Sequence, residues 1–215
     1  ARFSAAEQAK AHMRTQLEAS IAEVTGKLPM SPLIMLKTLA ATLPPDTVIV
    51  DESLTSGTHL SHFFVRRDAK SYFGLQGGGI GWGLPAALGV RLAIPDRPVV
   101  AIVGDGSAMY TNQSLWTAAH YNLPILYIIC NNGGYLILKR RLHAYQGAAA
   151  KEQKFIGFDI TEPELSFVDL AHAMGVPAER VEKPEELEAA VKQALRRTGP
   201  SLIEVMLERS ITPGG

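Results

Sequence analysis

Two segments that are apolar at every position constrain the fold of this chain more than any other feature. They are residues 98–103 (PVVAIV) and 125–130 (ILYIIC). A strand without polar positions is buried on both faces, which is typical of a parallel sheet covered by helices. The segment between them is long enough for one helix and its turns, so the pair predicts a βαβ unit.

Shorter apolar segments and helical periodicities alternate along the rest of the chain. Further strands are predicted at 48–50, 71–73, 178–181 and 201–206. Helices are predicted at 4–24, 31–42, 56–64, 84–93, 111–121, 167–174 and 184–197. Residues 143–164 lack a clear period and are predicted to form a long loop or broken helices. The alternation predicts an α/β fold, a three-layer sandwich with a mostly parallel, doubly wound sheet and helices on both faces.

The length of the chain, 215 residues, suits one large α/β domain with an appended segment. We predict that residues 1–28 form a linker helix from a preceding domain and that residues 29–215 form the α/β domain. Because the chain does not begin with Met, we expect it to be a piece of a longer protein.

Composition argues against several classes of partner. The chain has 21 basic and 21 acidic residues, which gives no reason to expect nucleic acid or an anionic membrane as a partner. No apolar run approaches the roughly 20 residues of a membrane span. A single cysteine excludes internal disulfides, and the amino terminus resembles neither a signal nor a transit peptide. We therefore expect a cytoplasmic location.

Glycine-rich breaks follow both apolar segments. Gly104-Asp105-Gly106 ends the first segment, and Asn131-Asn132-Gly133-Gly134 ends the second. Asp105 and Asn132 are 27 residues apart, the length of one turn, helix, turn and strand. This spacing predicts that the two breaks lie side by side at the carboxyl edge of a parallel sheet, where such folds bind ligands.

The residue types at these breaks suit a magnesium ion that carries a diphosphate. Mg²⁺ prefers about six oxygen ligands and usually keeps a phosphate among them. Asp105 offers a carboxylate, Asn132 an amide oxygen, and the main chain near Gly134 a carbonyl. Taken singly, Gly-Asp-Gly and Asn-Asn-Gly-Gly are common turns. Their conjunction at two neighbouring strand ends is what predicts the site.

The residues after Asp105 suit the anion itself. Gly106 allows close approach of the backbone to phosphates, and the first amides of the following helix direct positive partial charge at them. Ser107 and Tyr110 can donate hydroxyl hydrogen bonds.

The segment 104–135 (GDGSAMYTNQSLWTAAHYNLPILYIICNNGGY) resembles the signature of thiamine-diphosphate-dependent enzymes, GDG followed at this spacing by NN. The resemblance extends over about residues 51–206. It is greatest to the benzoylformate decarboxylase and acetolactate synthase large-subunit type, on Asp51-Glu52-Ser53, GGGIGWGLPAALG and the final SLIEV.

The resemblance implies that Mg²⁺ is bound by Asp105, Asn132 and the Gly134 carbonyl. It implies cofactor contacts from Leu54, Thr55, Gly78, Ile80, Gly104, Gly106, Ser107, Tyr110 and Tyr135. Within that set, the Gly78 carbonyl would accept from the aminopyrimidine, and Ile80 would support the thiazolium as a wedge. Glu52 would be a structural acid near the site. The family more often has Leu or Met at the Ile80 position and Gly at the Leu136 position, so substrate choice does not carry over.

The family activates its cofactor with a glutamate from a separate pyrimidine-binding domain, and this chain contains no second α/β domain. The resemblance therefore implies that the chain is the C-terminal third of a longer enzyme, or a subunit whose partner supplies that domain. We expect the isolated chain to be inactive, and the complete enzyme to be a homodimer or homotetramer acting on a 2-keto acid. FAD in an absent middle domain is compatible with the resemblance.

Several alternatives stay open at this point. The reaction can be decarboxylation or carboligation of a 2-keto acid, and a module that binds the cofactor without catalysis is a further alternative. The glycine cluster 77–83 (GGGIGWG) is similar to the phosphate-binding loop of a Rossmann-type dinucleotide binder, but no acid follows at the spacing that this motif requires. The basic run Lys139-Arg140-Arg141 can attract an anionic substrate or form a solvated helix end. His59 and His62 can form a metal pair or a half-exposed helix face.

Overall fold

The computed structural model describes residues 2–211, and their side chains from residue 7 onward. Six strands in this part of the chain form one sheet in which every pair is parallel. They are β1 Val48–Glu52, β2 Tyr72–Gly74, β3 Val99–Gly104, β4 Ile125–Asn131, β5 Ala178–Val181 and β6 Ser201–Met206. The order β2-β1-β3-β4-β6-β5 confirms the predicted α/β fold.

Ten α-helices and one 3₁₀ turn connect these strands within the described residues. The helices are α1 Arg2–Val24, α2 Pro32–Thr42, α3 Leu60–Phe63, α4 Gly83–Ala93, α5 Asp105–Ala108, α6 Ser114–His120, α7 Leu136–Tyr145, α8 Ala148–Lys151, α9 Phe167–Ala173 and α10 Pro184–Ala194. The 3₁₀ turn is Leu54–Gly57. None of the helices in residues 2–211 is both long and apolar enough to cross a bilayer.

Helices cover both faces of the sheet, as predicted. Along β3, Ile102 packs in one apolar cluster with α2 and α10, whereas Val103 packs in another with α4 and α9. Successive residues of a strand point to opposite faces, so a strand covered on both sides must be apolar at every position. This explains why the two apolar segments became the adjacent central strands β3 and β4.

The site is positioned by a change in winding direction. The chain proceeds from β1 to β2 on one side, then returns to place β3 on the other side of β1. Loops that leave β1 and β3 therefore diverge and open a crevice at the carboxyl ends of these strands, which is where doubly wound sheets bind ligands.

The structure corrects several predicted elements. The helix predicted at 111–121 is the shorter α6, and the prediction did not include α5, which the chain enters directly at Asp105. The helix predicted at 56–64 is a 3₁₀ turn followed by the short α3. Residues 143–164 are predicted to form a long loop or broken helices, and the structure has the second: α7 ends at Tyr145, Gln146 adopts a left-handed conformation (φ 56°), and the short α8 follows. The division into residues 1–28 and 29–215 stays a prediction.

Candidate functional site

Asp105 joins the ends of the two central strands. It follows β3 directly, is only 2% exposed, and its Oδ2 accepts backbone hydrogen bonds from Asn132 (3.1 Å), Gly133 (2.7 Å) and Gly134 (3.1 Å). Its Oδ1 accepts from the amide of Gly106 at 2.8 Å. One carboxylate thus holds the loops after β3 and β4 side by side, as their spacing in the sequence predicts.

The electrostatics of Asp105 favour a cation. Burial raises its pKa to about 6, against the opposing effect of the four backbone N–H groups, which lower it. Near neutral pH this carboxylate carries a charge that the surrounding protein stabilises incompletely. A bound cation would supply the missing stabilisation.

Two buried oxygen atoms beside Asp105 have no hydrogen-bond partner among the described residues. They are Oδ1 of Asn132 and Oγ of Ser107. Buried polar atoms in folded proteins nearly always have partners, so these two fit a metal ion and a phosphate better than they fit a purely structural role. The carbonyl of Gly134 accepts from Leu136 at 2.9 Å and has a second lone pair to offer.

The set of oxygen ligands is low in negative charge. No cluster of three His, Cys, Asp or Glu side chains that could hold a metal occurs among the described residues. One carboxylate, one amide oxygen and one carbonyl suit Mg²⁺ only when an anionic ligand completes its coordination. The donor set therefore fits a metal ion that arrives with a diphosphate.

Close packing explains two of the glycines at the site. A Cβ on Gly106 would lie 2.6 Å from Cε1 of the Tyr135 ring, and a Cβ on Gly134 would overlap the carbonyl oxygen of Phe158. Between the two loops, Gly133 has a positive φ of 75°, which glycine adopts most readily. These glycines thus allow the loops at the tips of β3 and β4 to pack closely.

Glu52 fixes the glycine-rich loop above the strand ends. Its buried carboxylate lies at the end of β1 and accepts hydrogen bonds from the amides of Gly81 (2.7 Å), Trp82 (3.2 Å) and Gly83 (2.6 Å). The Thr111 hydroxyl donates to the Gly81 carbonyl at 2.8 Å. The amides of Gly81, Trp82 and Gly83 at the start of α4 are therefore engaged within the protein and are not available to a dinucleotide phosphate. This argues against the Rossmann alternative.

These loops surround a cleft of about 430 Å³. Every predicted site residue except Tyr110 lines it: Leu54, Thr55, Gly78, Ile80, Gly104, Asp105, Gly106, Ser107, Asn132, Gly134 and Tyr135. Tyr110 is 58% exposed and lies outside the lining, next to Tyr135. Burial, and then the neighbouring Tyr110 hydroxyl, raises the pKa of Tyr135.

Sequence reasoning raised Leu136 and Arg141 separately but did not predict that one helix forms a wall of the cleft. Helix α7 contributes Leu136, Ile137, Leu138 and Arg141 to the lining. A signal was present, because a helix that begins directly after a ligand-binding strand end commonly borders the ligand. The strained backbone of Leu54 (φ 48°) on the opposite wall gave no signal in the sequence.

A buried polar network supports the loop after β4 from the side. The side-chain Nδ2 of Asn131 donates to Oε1 of the fully buried Glu204 on β6 (2.7 Å), and Nε of Arg180 on β5 donates to Oε2 (3.0 Å). The hydrogen bond with Glu204 raises the pKa of Arg180. The Asn131 side-chain oxygen accepts from Gly133 at 3.0 Å, so the network reaches the loop that faces the cleft.

Residues 55–205 match the family described as thiamine pyrophosphate enzyme, C-terminal TPP binding domain. The chain is 41% identical over 170 residues to IlvX of Mycobacterium tuberculosis, which is named as a proposed acetolactate synthase large subunit; the match covers 79% of this chain and 33% of IlvX. It is 38% identical over 177 residues to benzoylformate decarboxylase of Pseudomonas aeruginosa, covering 82% of this chain and 32% of that enzyme.

A solved structure supports the same grouping. The thiamine diphosphate-dependent 4-hydroxybenzoylformate decarboxylase of Rhodococcus jostii superposes with a TM-score of 0.80 at 34% identity, over 88% of this chain and 34% of that one. The chain thus spans about a third of the length of the relatives it matches.

Proposed function

The chain belongs to the thiamine pyrophosphate enzymes, as their C-terminal cofactor-binding domain, and from this premise we propose that it serves a 2-keto acid decarboxylase. In this proposal Asp105, Asn132 and the Gly134 carbonyl hold a Mg²⁺ ion that carries the diphosphate of the cofactor. The observation that carries it is the buried side-chain oxygen of Asn132, which has no hydrogen-bond partner among the described residues. The backbone amide of the same residue donates to the Asp105 carboxylate.

The other residues of the cleft orient the cofactor. The hydroxyl of Ser107 and the backbone at Gly106, which lines the cleft, bind the diphosphate oxygens, with Tyr110 and Tyr135 at the rim. The remaining predicted contacts, to the cofactor rings, come from Leu54, Thr55, Gly78, Ile80 and Gly104. When bound, the cofactor supplies the carbon nucleophile and the electron sink that decarboxylation requires.

The activating glutamate is proposed to come from a pyrimidine-binding domain elsewhere in the same or a partner chain, so that the isolated chain is inactive. Among the described residues, the cleft lining contains a single carboxylate, Asp105, which four backbone amides already engage. A homodimer or homotetramer and a cytoplasmic location belong to the same proposal.

Carboligation is the second candidate, because the similarity to IlvX is as extensive as that to benzoylformate decarboxylase. The two reactions differ in what the activated keto acid reacts with after it loses CO₂: a proton in decarboxylation, and a second carbonyl compound in carboligation. Release of an aldehyde supports decarboxylation, whereas formation of a 2-hydroxy-2-methyl keto acid from pyruvate supports carboligation.

Equilibrium titration tests the cofactor site directly. We expect tryptophan fluorescence to respond to thiamine diphosphate only with Mg²⁺ present, and not to NAD. Asp105→Ala should weaken binding by about 10-fold to 100-fold because a charged ligand is lost, while the exposed Asp96→Ala should leave it unchanged. Equal affinity in the wild type and Asp105→Ala, or binding of NAD instead, would refute the proposal.

A further inference from the structure

Helix α7 carries the basic run Lys139-Arg140-Arg141. Two of these cationic side chains are bound to other residues of the protein, and the third faces the cleft. The Lys139 ammonium, only 13% exposed, forms an ion pair with Asp159. The Arg140 guanidinium donates to the carbonyl of Ser210 at 3.2 Å. The Arg141 side chain has no hydrogen bond or ion pair to any other described residue. The sequence alone did not decide whether this basic run binds an anionic substrate or forms a solvated helix end. In the structure, Arg141 is the member of the run that is available for a ligand.

Arg141 is directed at the site by the helical repeat. It lies three residues after Leu138 and four after Ile137, so these three share one face of α7, and all three line the cleft that contains Asp105. Leu54, Leu75, Ile80 and Leu136 add apolar surface to the same lining. Arg141 is the only cationic residue among the described residues that line the cleft.

We propose that Arg141 binds a second anionic group on the substrate, so that the preferred substrates are 2-keto acids whose side chain ends in a carboxylate. This inference rests on the proposed function and assigns the substrate class of the same site. A guanidinium forms paired hydrogen bonds with a carboxylate, and Arg141 is an exposed residue of the cleft lining, so its guanidinium is accessible to such a group.

The carboxylate that is lost in the reaction is a poorer partner for Arg141. A cation that binds this group stabilises its charge in the ground state, whereas that charge disperses on the way to the transition state. A carboxylate at the far end of the substrate keeps its charge throughout, so the attraction lowers both states equally. Arg141 is therefore expected to govern substrate affinity and selectivity, not the rate of the chemical step.

The experiment compares substrates matched in shape, with the complete holoenzyme that contains this chain. 2-Oxoglutarate and 2-oxoadipate are paired with 2-oxopentanoate and 2-oxohexanoate, in which a methyl group replaces the distal carboxylate. We expect kcat/KM for the diacids to exceed that for the monoacids by about 10-fold to 100-fold. Arg141→Leu should abolish this preference through KM, with kcat little changed, and Arg141→Lys should retain part of it.

Two controls separate a local from a general effect. Lys154→Leu removes one positive charge from an exposed side chain outside the cleft and should keep the preference for diacids. Isothermal titration of Arg141→Leu with thiamine diphosphate and Mg²⁺ should give the wild-type dissociation constant, because Arg141 is proposed to contact the substrate and not the diphosphate.

The outcomes are distinguishable. If the wild type turns over monoacids as well as diacids, or if Arg141→Leu raises KM equally for both, the inference is wrong and the proposed function stands. Weakened cofactor binding in Arg141→Leu reassigns Arg141 to the diphosphate and likewise overturns the inference. If the holoenzyme binds no thiamine diphosphate, the proposed function fails and this inference fails with it.

Discussion

Asp105 has a structural role in the folded chain, and the proposed function gives the same side chain a role as a metal ligand. Three of its hydrogen bonds hold the loop after β4, so the carboxylate positions Asn132 before any ion binds. An apo site organised in this way pays little conformational entropy when the metal and cofactor arrive. The same arrangement makes the charge of Asp105 costly in the metal-free protein, because burial disfavours it.

The stability of the metal-free chain should therefore depend on the protonation of Asp105. Its pKa is raised from 3.8 when unfolded to about 6 when folded. The protonated form thus stabilises the fold below about pH 4, and this contribution is lost as the pH rises through 6, by about 3 kcal/mol. We expect the unfolding free energy of the wild type, relative to that of Asp105→Asn, to fall by about this amount over the interval, because Asn does not titrate; urea denaturation at successive pH values measures this. A difference that stays constant from pH 4 to 7 would contradict the assignment.

Two glycines provide a matched pair for the packing of the site. Gly134→Ala places a methyl group against the Phe158 carbonyl, which is backbone and cannot move aside. We expect a loss of about 1–3 kcal/mol in urea unfolding together with weaker binding of cofactor and Mg²⁺. Gly89→Ala in α4 meets no atom within 4 Å and should stabilise the chain by about 0.5–1 kcal/mol. Similar effects at the two positions would show that the close contact at Gly134 does not constrain the loop.

At the scale of elements, local patterns predicted the central strands and the relation between their ends. Continuous apolar sequence indicated β3 and β4, and the 27-residue spacing indicated that Asp105 and Asn132 meet. The acids on β1 and β6 could not be read in this way, because Glu52 binds amides 29 to 31 residues away and Glu204 binds Asn131 73 residues away. Such roles depend on the assembled sheet and leave no periodic signal.

The buried network that links Arg180 on β5, Glu204 on β6 and Asn131 on β4 yields a prediction about the stability of the fold. Glu204 is 0% exposed and Arg180 compensates its charge. Arg180→Met leaves a buried carboxylate without a cation, and we expect a loss of about 3 kcal/mol in unfolding free energy. Adding Glu204→Gln should restore most of this loss, since a neutral amide needs no counter-charge and can still accept from Asn131.

Calorimetry or urea denaturation of the two single variants and the double variant measures this coupling. The exposed Arg196→Met on the segment after α10 is the control and should change stability little. Additive losses in the double variant would mean that Glu204 does not depend on Arg180.

At the scale of the whole molecule, the sheet order places the proposed metal site at the change of winding direction, where the loops after β1, β3 and β4 converge. The resulting cleft is complete on the side of the metal ligands and of α7. It lacks a free acid among its described lining residues, because Asp105 is the single carboxylate there and four backbone amides engage it. This supports the proposed division of roles, in which this chain captures the cofactor and another domain activates it.

Capture and activation should therefore separate experimentally. The purified 215-residue chain is expected to bind thiamine diphosphate with Mg²⁺ in a fluorescence titration and to release no CO₂ from any 2-keto acid. Turnover should follow only when a pyrimidine-binding domain with its glutamate is supplied, because a carboxyl group must reach the cofactor ring from outside this cleft. The same mixture made with Asp105→Ala should stay inactive, which ties the recovered activity to the metal site. Steady CO₂ release by the chain alone would instead place the activating acid within these residues and refute the division of roles.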